Sequence, residues 1–291
     1  METADILKKV RYIEIKTRGL THQIFSGKYH SAFKGTGMAF SEVREYSYGD
    51  DIRSIDWKVT ARYNHPYIKI FEEERELTVL LLVDVSASNS FGSKSQLKSE
   101  MITELASVLA FSAIHNNDKV GVIFFSSKVE KFIPPKKGTS HILRIIREML
   151  DFEPENQGTR IASALEFLNN TIKKRSIVFL ISDFFDKDYE QVFGITKRKH
   201  DLVALRIEDL KEHELPPVGF VQFADPETGQ KKYIDTDNFS TRVAYKKWWM
   251  ENIDRLKNVC VKTGTDMAVI QTGQDYVKPL LKLFRQREKR M

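Results

Sequence analysis

The chain has 291 residues, 41% hydrophobic and 30% charged, which is enough for one large globular core with a smaller appendage. Its net charge is +6, and a single cysteine, Cys260, excludes a disulfide framework. No apolar run approaches the ~18 residues of a membrane span, and the first residues lack the apolar core of a signal peptide, so we expect a cytoplasmic protein.

The first 76 residues give mixed signals. Residues 4–18 are typical of a charged helix, residues 19–37 contain four glycines that favour loops, and residues 67–74 begin with the alternation of a strand. We expect residues 1–76 to form an N-terminal extension that packs on a main domain spanning residues 77–291.

From residue 77 onwards, strands alternate with helices, and two short strands around the sequence DPETG predict a hairpin insertion at residues 218–235. This alternation predicts an α/β fold in which helices cover both faces of a mostly parallel sheet. Strands are predicted at 77–83, 120–125, 129–133, 176–181, 202–207 and 267–271, and helices at 95–115, 139–150, 160–172, from 241 onwards and at 276–287.

Apolar residues at helical spacing predict that each of the two longest helices buries one face. Because Cys260 belongs to such a stripe, we expect it to be a core residue and not a nucleophile. The stripes are Leu97, Met101, Leu105 and Val108 in the first helix, and Tyr245, Trp249, Ile253, Leu256 and Cys260 in the second.

Two predicted buried strands are followed by aspartates, Asp84 and Asp183. In open α/β sheets, ligands bind beyond the carboxyl ends of the strands, where the strand order reverses. A turn after the first strand can direct Asp84, Ser86 and Ser88 at one point, and Thr159 can add a hydroxyl from a loop before a helix. These oxygens suit Mg²⁺, with Mn²⁺ or Ca²⁺ as alternatives. The same residues can instead cap helices.

The three loops together resemble the metal-ion-dependent adhesion site of von Willebrand factor A domains. The preceding segment is similar to the signature of bacterial "domain of unknown function 58" proteins, with MAFSEVREY at residues 38–46, YGDDIRSIDW at 48–57 and TAR at 60–62. This resemblance implies a von Willebrand factor A-like fold and an adaptor or co-chaperone that works with a MoxR-type AAA+ ATPase. The loop Gln157-Gly158-Thr159 departs from the family's Gly-Gly-Thr but keeps the threonine.

Two partner contacts follow as expectations. An ion held by the five oxygens would leave a coordination position for a Glu or Asp of a protein partner. Charged residues of the signature segment, residues 38–62, form a candidate docking face for the ATPase: Arg44, Asp50, Asp51, Arg53, Asp56 and Arg62. The alternative is an ion-paired, solvated collar around Trp57 and Tyr46.

Enzymatic motifs are missing from the sequence, which contains no HExxH, no G-x-S-x-G and no phosphate-binding P-loop, so we do not expect an enzyme. The main alternative is a metal-dependent phosphatase or nuclease that uses the Asp84/Asp183 ion. Asp186 and Asp188 could assist it, although both also suit a helix start.

Nucleic-acid binding through the basic tail is a further alternative. The last fifteen residues hold six Lys and Arg against one Glu. Cations at a helix C-terminus are the simpler interpretation of this surplus.

Overall fold

The computed structural model describes residues 12, 39–72, 77–90, 92, 97–224 and 230–290. Within these ranges the chain divides into two compact units, one formed by the described residues between 33 and 77 and one that begins at Thr78. The helix predicted at 4–18, apart from Tyr12, and the loops predicted at 19–37 lie outside the described residues. The same holds for the DPETG turn at 225–229.

The smaller unit is an antiparallel pair of strands, β1 (Ala39–Glu45) and β2 (Tyr67–Glu72). Between them lie a 3-10 turn at Ile52–Ser54 and the short helix α1 (Trp57–Tyr63). The helix ends at Asn64, whose φ of 59° is left-handed, and the chain turns there into β2. The strand predicted at 67–74 is therefore present as far as Glu72.

The larger unit is built on a six-stranded sheet in the order β10-β7-β6-β3-β4-β5, and every pair is parallel except β4 with β5. The separate pair β8 and β9 forms the predicted hairpin. The strands are β3 (Thr78–Asp84), β4 (Lys119–Phe125), β5 (Val129–Lys136), β6 (Ile177–Ser182), β7 (Asp201–Glu208), β8 (Phe220–Ala224), β9 (Lys231–Asp235) and β10 (Asp266–Gln271).

Helices flank the sheet, which confirms the predicted α/β class with a mostly parallel sheet. They are α2 (Lys98–His115), α3 (Thr139–Asp151), α4 (Ile161–Thr171), α5 (Glu190–Lys199), α6 (Phe239–Thr263) and α7 (Val277–Glu288). Of the helices in the described ranges, none combines the length and the apolar character needed to cross a bilayer.

Strand order reverses between β3 and β6. The chain runs from β3 outward to β4 and β5, then returns to β6 on the other side of β3. Both strands are continuous apolar runs because helices cover both faces of the sheet, and their central residues are fully buried. Since the two strands are parallel neighbours, their carboxyl ends meet at the same edge of the sheet. Asp84, the last residue of β3, and Asp183, the residue after β6, both lie at this edge.

The predicted stripe on α2 is buried at Met101, Leu105 and Val108, but the buried surface of this helix is not limited to one face. Leu97 precedes the helix and is 42% exposed, whereas the residues from Met101 to Ala113 are all buried. The helix contacts the sheet through β3 and β4 and contacts α3 as well. Because the helix packs against the sheet and against α3, most of its circumference is apolar or small, with the buried Glu104 as an exception, and no stripe separates an exposed face from a buried one.

The stripe on α6 is confirmed in its buried members, Trp249, Leu256 and Cys260, while Tyr245 and Ile253 are half-buried. Cys260 belongs to the core, and burial raises the pKa of its thiol to about 12. A thiol with so high a pKa is almost entirely protonated at neutral pH, which agrees with a packing role.

The basic tail is tied to the sheet through α7. Arg287 is 5% exposed and pairs with Asp201 of β7 and with Asp266 of β10, the latter at 2.6 Å. Arg290 also reaches Asp266, at 2.8 Å. Two of the six basic residues at this end therefore neutralise acids where the two strands begin.

Candidate metal site

The Asp84 carboxylate is fixed between the two central strands. Its side chain is 1% exposed. Oδ1 accepts the backbone N–H of Ser86 at 3.0 Å, and Oδ2 accepts the hydroxyl of Ser182, the last residue of β6, at 2.6 Å. These bonds give the carboxylate one orientation at the end of β3.

The loop after β3 brings two hydroxyls together. Ser86 Oγ and Ser88 Oγ lie 3.0 Å apart at the start of a 3-10 turn, Ala87–Ser90. The Asn89 side-chain amide closes the turn by donating to the backbone carbonyl of Asp84 at 3.0 Å. The predicted convergence of Asp84, Ser86 and Ser88 is therefore present in this loop.

Asp183 lies at the neighbouring strand end and is 2% exposed. Its Oδ1 accepts the backbone N–H of Phe185 at 3.2 Å, and its Oδ2 lies 3.3 Å from the Lys98 ammonium. Phe184, which lies between Asp183 and Phe185 in the chain, has a φ of 61°, a left-handed conformation that is strained for a bulky residue. The strain accompanies the sharp turn that directs the chain away after Asp183.

Thr159 is half-buried in the loop before α4. Gly158 supplies a φ of 87°, which glycine adopts without strain. The next residue, Arg160, donates its N–H to the carbonyl of Ser126 just after β4 at 2.9 Å. Because Val85 also donates to the end of β4, at the carbonyl of Phe125, the Thr159 loop and the Asp84 loop attach to the same strand end.

Asp186 links the Thr159 loop to the loop after β6. Its Oδ2 accepts the backbone N–H of Ile161, the first residue of α4, at 2.6 Å, while its Oδ1 accepts the N–H of Lys187 at 2.7 Å. Asp186 therefore stabilises the N-terminus of a helix other than the one that follows it in sequence. Both oxygens of this acid, which we considered for catalysis, are thus engaged.

The electrostatics of the site fit a hard cation. Burial, followed by the negative charge of Asp183, raises the pKa of Asp84 to about 7. Among the described residues no three His, Cys, Asp or Glu side chains form a metal cluster. A cation at this edge would therefore need the hydroxyls and water besides the two carboxylates, and such all-oxygen donors suit Mg²⁺.

A cavity of about 400 Å³ opens beside Asp84. Its wall includes Ser86 on the polar side and Ile102, Met149 and Phe152 on the apolar side. The oxygen donors of the β3 loop thus border a space that can admit a side chain from another molecule.

Three residues of this site carried no sequence signal that singled them out. Ser182 and Asn89 hold Asp84 and its loop. Lys98 is buried against Asp183 although it lies 85 residues earlier in the chain. A lysine at a helix start is ordinarily solvated, so only the tertiary structure reveals its position.

In the signature segment, most predicted partner-binding acids have local structural contacts. Arg44 holds Asp50 with two bonds, at 2.9 and 2.7 Å. Asp51 accepts the N–H of Arg53 at the 3-10 turn, and Asp56 caps α1 through the N–H of Lys58 at 2.9 Å. These contacts resemble the ion-paired alternative.

The alternative of a collar around Trp57 and Tyr46 fails at Trp57, whose side chain is 69% exposed, whereas Tyr46 is half-buried. Tyr48 is fully exposed and Ile52 is 67% exposed, and the charged side chains of Arg53 and Arg62 are exposed as well. The smaller unit thus exposes large apolar side chains that lie close in sequence to charged ones, and exposed apolar side chains are common in interaction surfaces.

The family model described as "Protein of unknown function DUF58" matches residues 42–254. The uncharacterized protein Rv1480 of Mycobacterium tuberculosis is 24% identical over 288 residues, which cover 96% of this chain and 89% of the relative. The uncharacterized protein YeaD of Bacillus subtilis is 28% identical over 109 residues, which cover 38% of this chain and 25% of YeaD.

Among solved structures, an aerotolerance-related membrane protein of Bacteroides fragilis aligns with a TM-score of 0.50 and 16% identity. The alignment covers 74% of this chain and 100% of that chain. The two proteins therefore share a fold.

Proposed function

Because the chain belongs to the family of proteins of unknown function called DUF58, with 42–254 as the matching residues, we propose that it is a metal-dependent protein-interaction module. The candidate metal site comprises Asp84, Ser86, Ser88, Thr159 and Asp183. One observation carries the proposal: the carboxyl groups of Asp84 and Asp183 are both buried at the strand-order reversal, where the charge of Asp183 contributes to the raised pKa of Asp84.

A buried pair of like charges is unfavourable unless cations offset it; the Lys98 ammonium lies 3.3 Å from Asp183, and a metal ion would offset the charge of Asp84 as well. Asp84 and Asp183 would supply carboxylate oxygens, directly or through water, and the hydroxyls of Ser86, Ser88 and Thr159 would complete the set. A bound divalent ion would supply a strong positive charge that recognises a carboxylate of the partner. We propose Mg²⁺ as the ion, with Mn²⁺ or Ca²⁺ possible on the same ligands.

The residues around the site would then act on the partner. Ser182 and Asn89 hold the β3 loop in one geometry, so little ordering cost remains when a partner binds. The cavity beside Asp84 can accept an apolar side chain next to the partner's Glu or Asp. Specificity would come from this combination of an acid and an apolar neighbour.

We further propose that the partner is a MoxR-type AAA+ ATPase and that the signature segment forms a second docking face. Arg44, Asp50, Asp51, Arg53, Asp56 and Arg62 are the predicted residues of that face. The exposed side chains of Tyr48, Ile52 and Trp57 support the proposal, since apolar anchors surrounded by charges are common in interfaces.

A pull-down with the tagged full chain tests this function. In about 5 mM Mg²⁺ we expect an AAA+ ATPase to be recovered with the chain and identified by mass spectrometry. We expect EDTA or the variant Asp84→Asn to abolish its recovery. The double variant Tyr48→Ala/Trp57→Ala should weaken recovery about tenfold or more, because it removes two anchors without touching the caps of the small unit.

The control for that double variant is Phe239→Ala, which removes an aromatic side chain that is 72% exposed on the other unit. It should leave recovery unchanged. Equal recovery of the ATPase in Mg²⁺ and in EDTA would contradict the metal-dependent part of the proposal.

No observation favours the two other functions. The Asp186 carboxylate accepts a hydrogen bond from the start of α4. Asp188 is exposed and has a φ of 61°, and in the described structure no hydrogen bond or ion pair joins either acid to Asp84. Arg287 and Arg290 are paired with acids, which reduces the basic surplus available to nucleic acid.

A further inference from the structure

Lys98 is a buried cation in an unfavourable position. It is the first residue of α2, where the helix dipole disfavours positive charge, and its side chain is 1% exposed. A buried ammonium requires close acidic partners. In the described part of the chain, Asp183 Oδ2 lies 3.3 Å from the ammonium and Glu212 Oε1 lies 2.5 Å from it.

The two acids are held independently of Lys98. Asp183 follows β6, and its other oxygen accepts the N–H of Phe185. Glu212 belongs to a 3-10 turn after β7, where its Oε2 accepts the N–H of Asp209 at 3.3 Å and its carbonyl accepts the hydroxyl of Tyr245 at 2.8 Å. Removal of the Lys98 charge should therefore leave both carboxylates near their present positions.

Arg206 is the other buried cation close to this edge, and its charge interacts electrostatically with Glu208 first and with Asp183 second. Its Nε lies 3.6 Å from Glu208, and its guanidinium lies against Phe185 and Trp249, at 5.6 and 5.3 Å from the ring centroids. Of these two cations, Lys98 is the one whose direct ion pair with Asp183 is present in the described structure.

We infer that Lys98 is the internal counter-ion of Asp183 and that its charge, divided between Asp183 and Glu212, sets how tightly the candidate site binds a divalent cation. The inference rests on the metal site proposed above. A fixed positive charge beside a ligand stabilises the metal-free protein and opposes a second cation at the same acid. Glu212 moderates that opposition, because it attracts the same ammonium.

Three variants test the charge balance by calorimetric titration of the full chain with Mg²⁺. Lys98→Met keeps most of the buried stem, and we expect it to bind Mg²⁺ about tenfold more tightly than wild type. Glu212→Gln leaves the ammonium wholly to Asp183, so its affinity should fall about threefold or more. The double variant Lys98→Met/Glu212→Gln removes one charge of each sign and should return close to the wild-type affinity.

Thermal denaturation supplies a second readout. In EDTA, Lys98→Met should melt below wild type, because the buried Asp183 and the half-buried Glu212 lose their counter-ion, and Mg²⁺ should raise its melting temperature more than that of wild type. If Lys98→Met does not fold, the comparison of Glu212→Gln with the double variant tests the same charge effect. The control is Lys187→Met, an exposed lysine four residues beyond Asp183, for which solvent screening should limit the change to less than about twofold.

Unchanged or weaker Mg²⁺ binding by folded Lys98→Met would overturn this inference and leave the proposed function intact. Equal affinities for Glu212→Gln and the double variant would overturn it as well. If wild type and every variant fail to bind Mg²⁺, the proposed metal site fails and the inference fails with it.

Discussion

Asp84→Asn is expected to abolish Mg²⁺ binding, a loss of affinity of about 100-fold or more, while the metal-free protein stays as stable as wild type or becomes more stable. The amide keeps the shape of the carboxylate. Its oxygen can still accept the N–H of Ser86, and its nitrogen can donate to the hydroxyl of Ser182. What disappears is a buried negative charge beside Asp183. Calorimetry with Mg²⁺ and thermal denaturation in EDTA measure the two effects separately.

The same variant makes a prediction about pH. Folding raises the pKa of Asp84 from 3.8 to about 7, so between these values the folded protein binds a proton that the unfolded chain does not bind. The metal-free protein should therefore lose stability as the pH rises from about 4 to about 7, with no further loss from this group above that range. Asp84→Asn should remove that part of the slope.

Asp188→Asn is the matched control for the expected loss of Mg²⁺ binding, since it makes the same chemical change on an exposed residue of the loop after β6. Its affinity for Mg²⁺ should stay within about twofold of wild type. If Asp84→Asn binds Mg²⁺ as wild type does, the assignment of Asp84 as a ligand is wrong.

Arg287→Ala is expected to destabilise the protein by about 3 kcal/mol, because it leaves the acids at the start of β7 and β10 without their buried partner. The Arg287 side chain is 5% exposed, and those of Asp201 and Asp266 are 19% and 13% exposed. Asp266 retains Arg290 and Asp201 retains Lys197, so each acid keeps one cation while both lose the buried guanidinium. Urea unfolding followed by circular dichroism measures the change in the free energy of unfolding.

Arg285→Ala provides the comparison. This residue lies on the same helix, carries the same charge and is exposed, so its removal should change the free energy of unfolding by less than about 0.5 kcal/mol. Equal stability of the two variants would mean that the buried ion pairs contribute nothing. A nucleic-acid function of the tail would instead make the exposed Arg285 the more important residue, with salt-dependent binding to DNA as its measure.

Local sequence pattern was sufficient for most of the fold. The apolar run before Asp84 and the one before Asp183 correspond to β3 and β6, because a strand covered on both faces has to be apolar at nearly every position. Helix α5 was not predicted, since few of its residues are buried: Phe193 and Thr196 are its buried positions. The complete burial of α2 also escaped prediction, because it depends on what packs against both sides of the helix.

The candidate site was predictable only in outline. The rule that ligands bind where strand order reverses led to Asp84 and Asp183, and a hydroxyl-rich loop after a buried strand led to Ser86 and Ser88. Lys98 was not found, since its acidic partner lies far away in sequence and no local pattern marks a lysine for burial. The left-handed backbone of Phe184 was equally unpredictable, because only tertiary packing can hold a bulky residue in that conformation.

Anomalous diffraction from crystals of the protein grown with Mn²⁺ tests the central claim most directly. We predict one strong Mn²⁺ peak at the carboxyl ends of β3 and β6, with oxygens of Asp84, Ser86 and Ser88 at about 2.0–2.4 Å and Asp183 and Thr159 bound directly or through water. A dataset from protein saturated with Mn²⁺ that shows no anomalous peak within reach of Asp84 would contradict the assignment of this edge as a metal site.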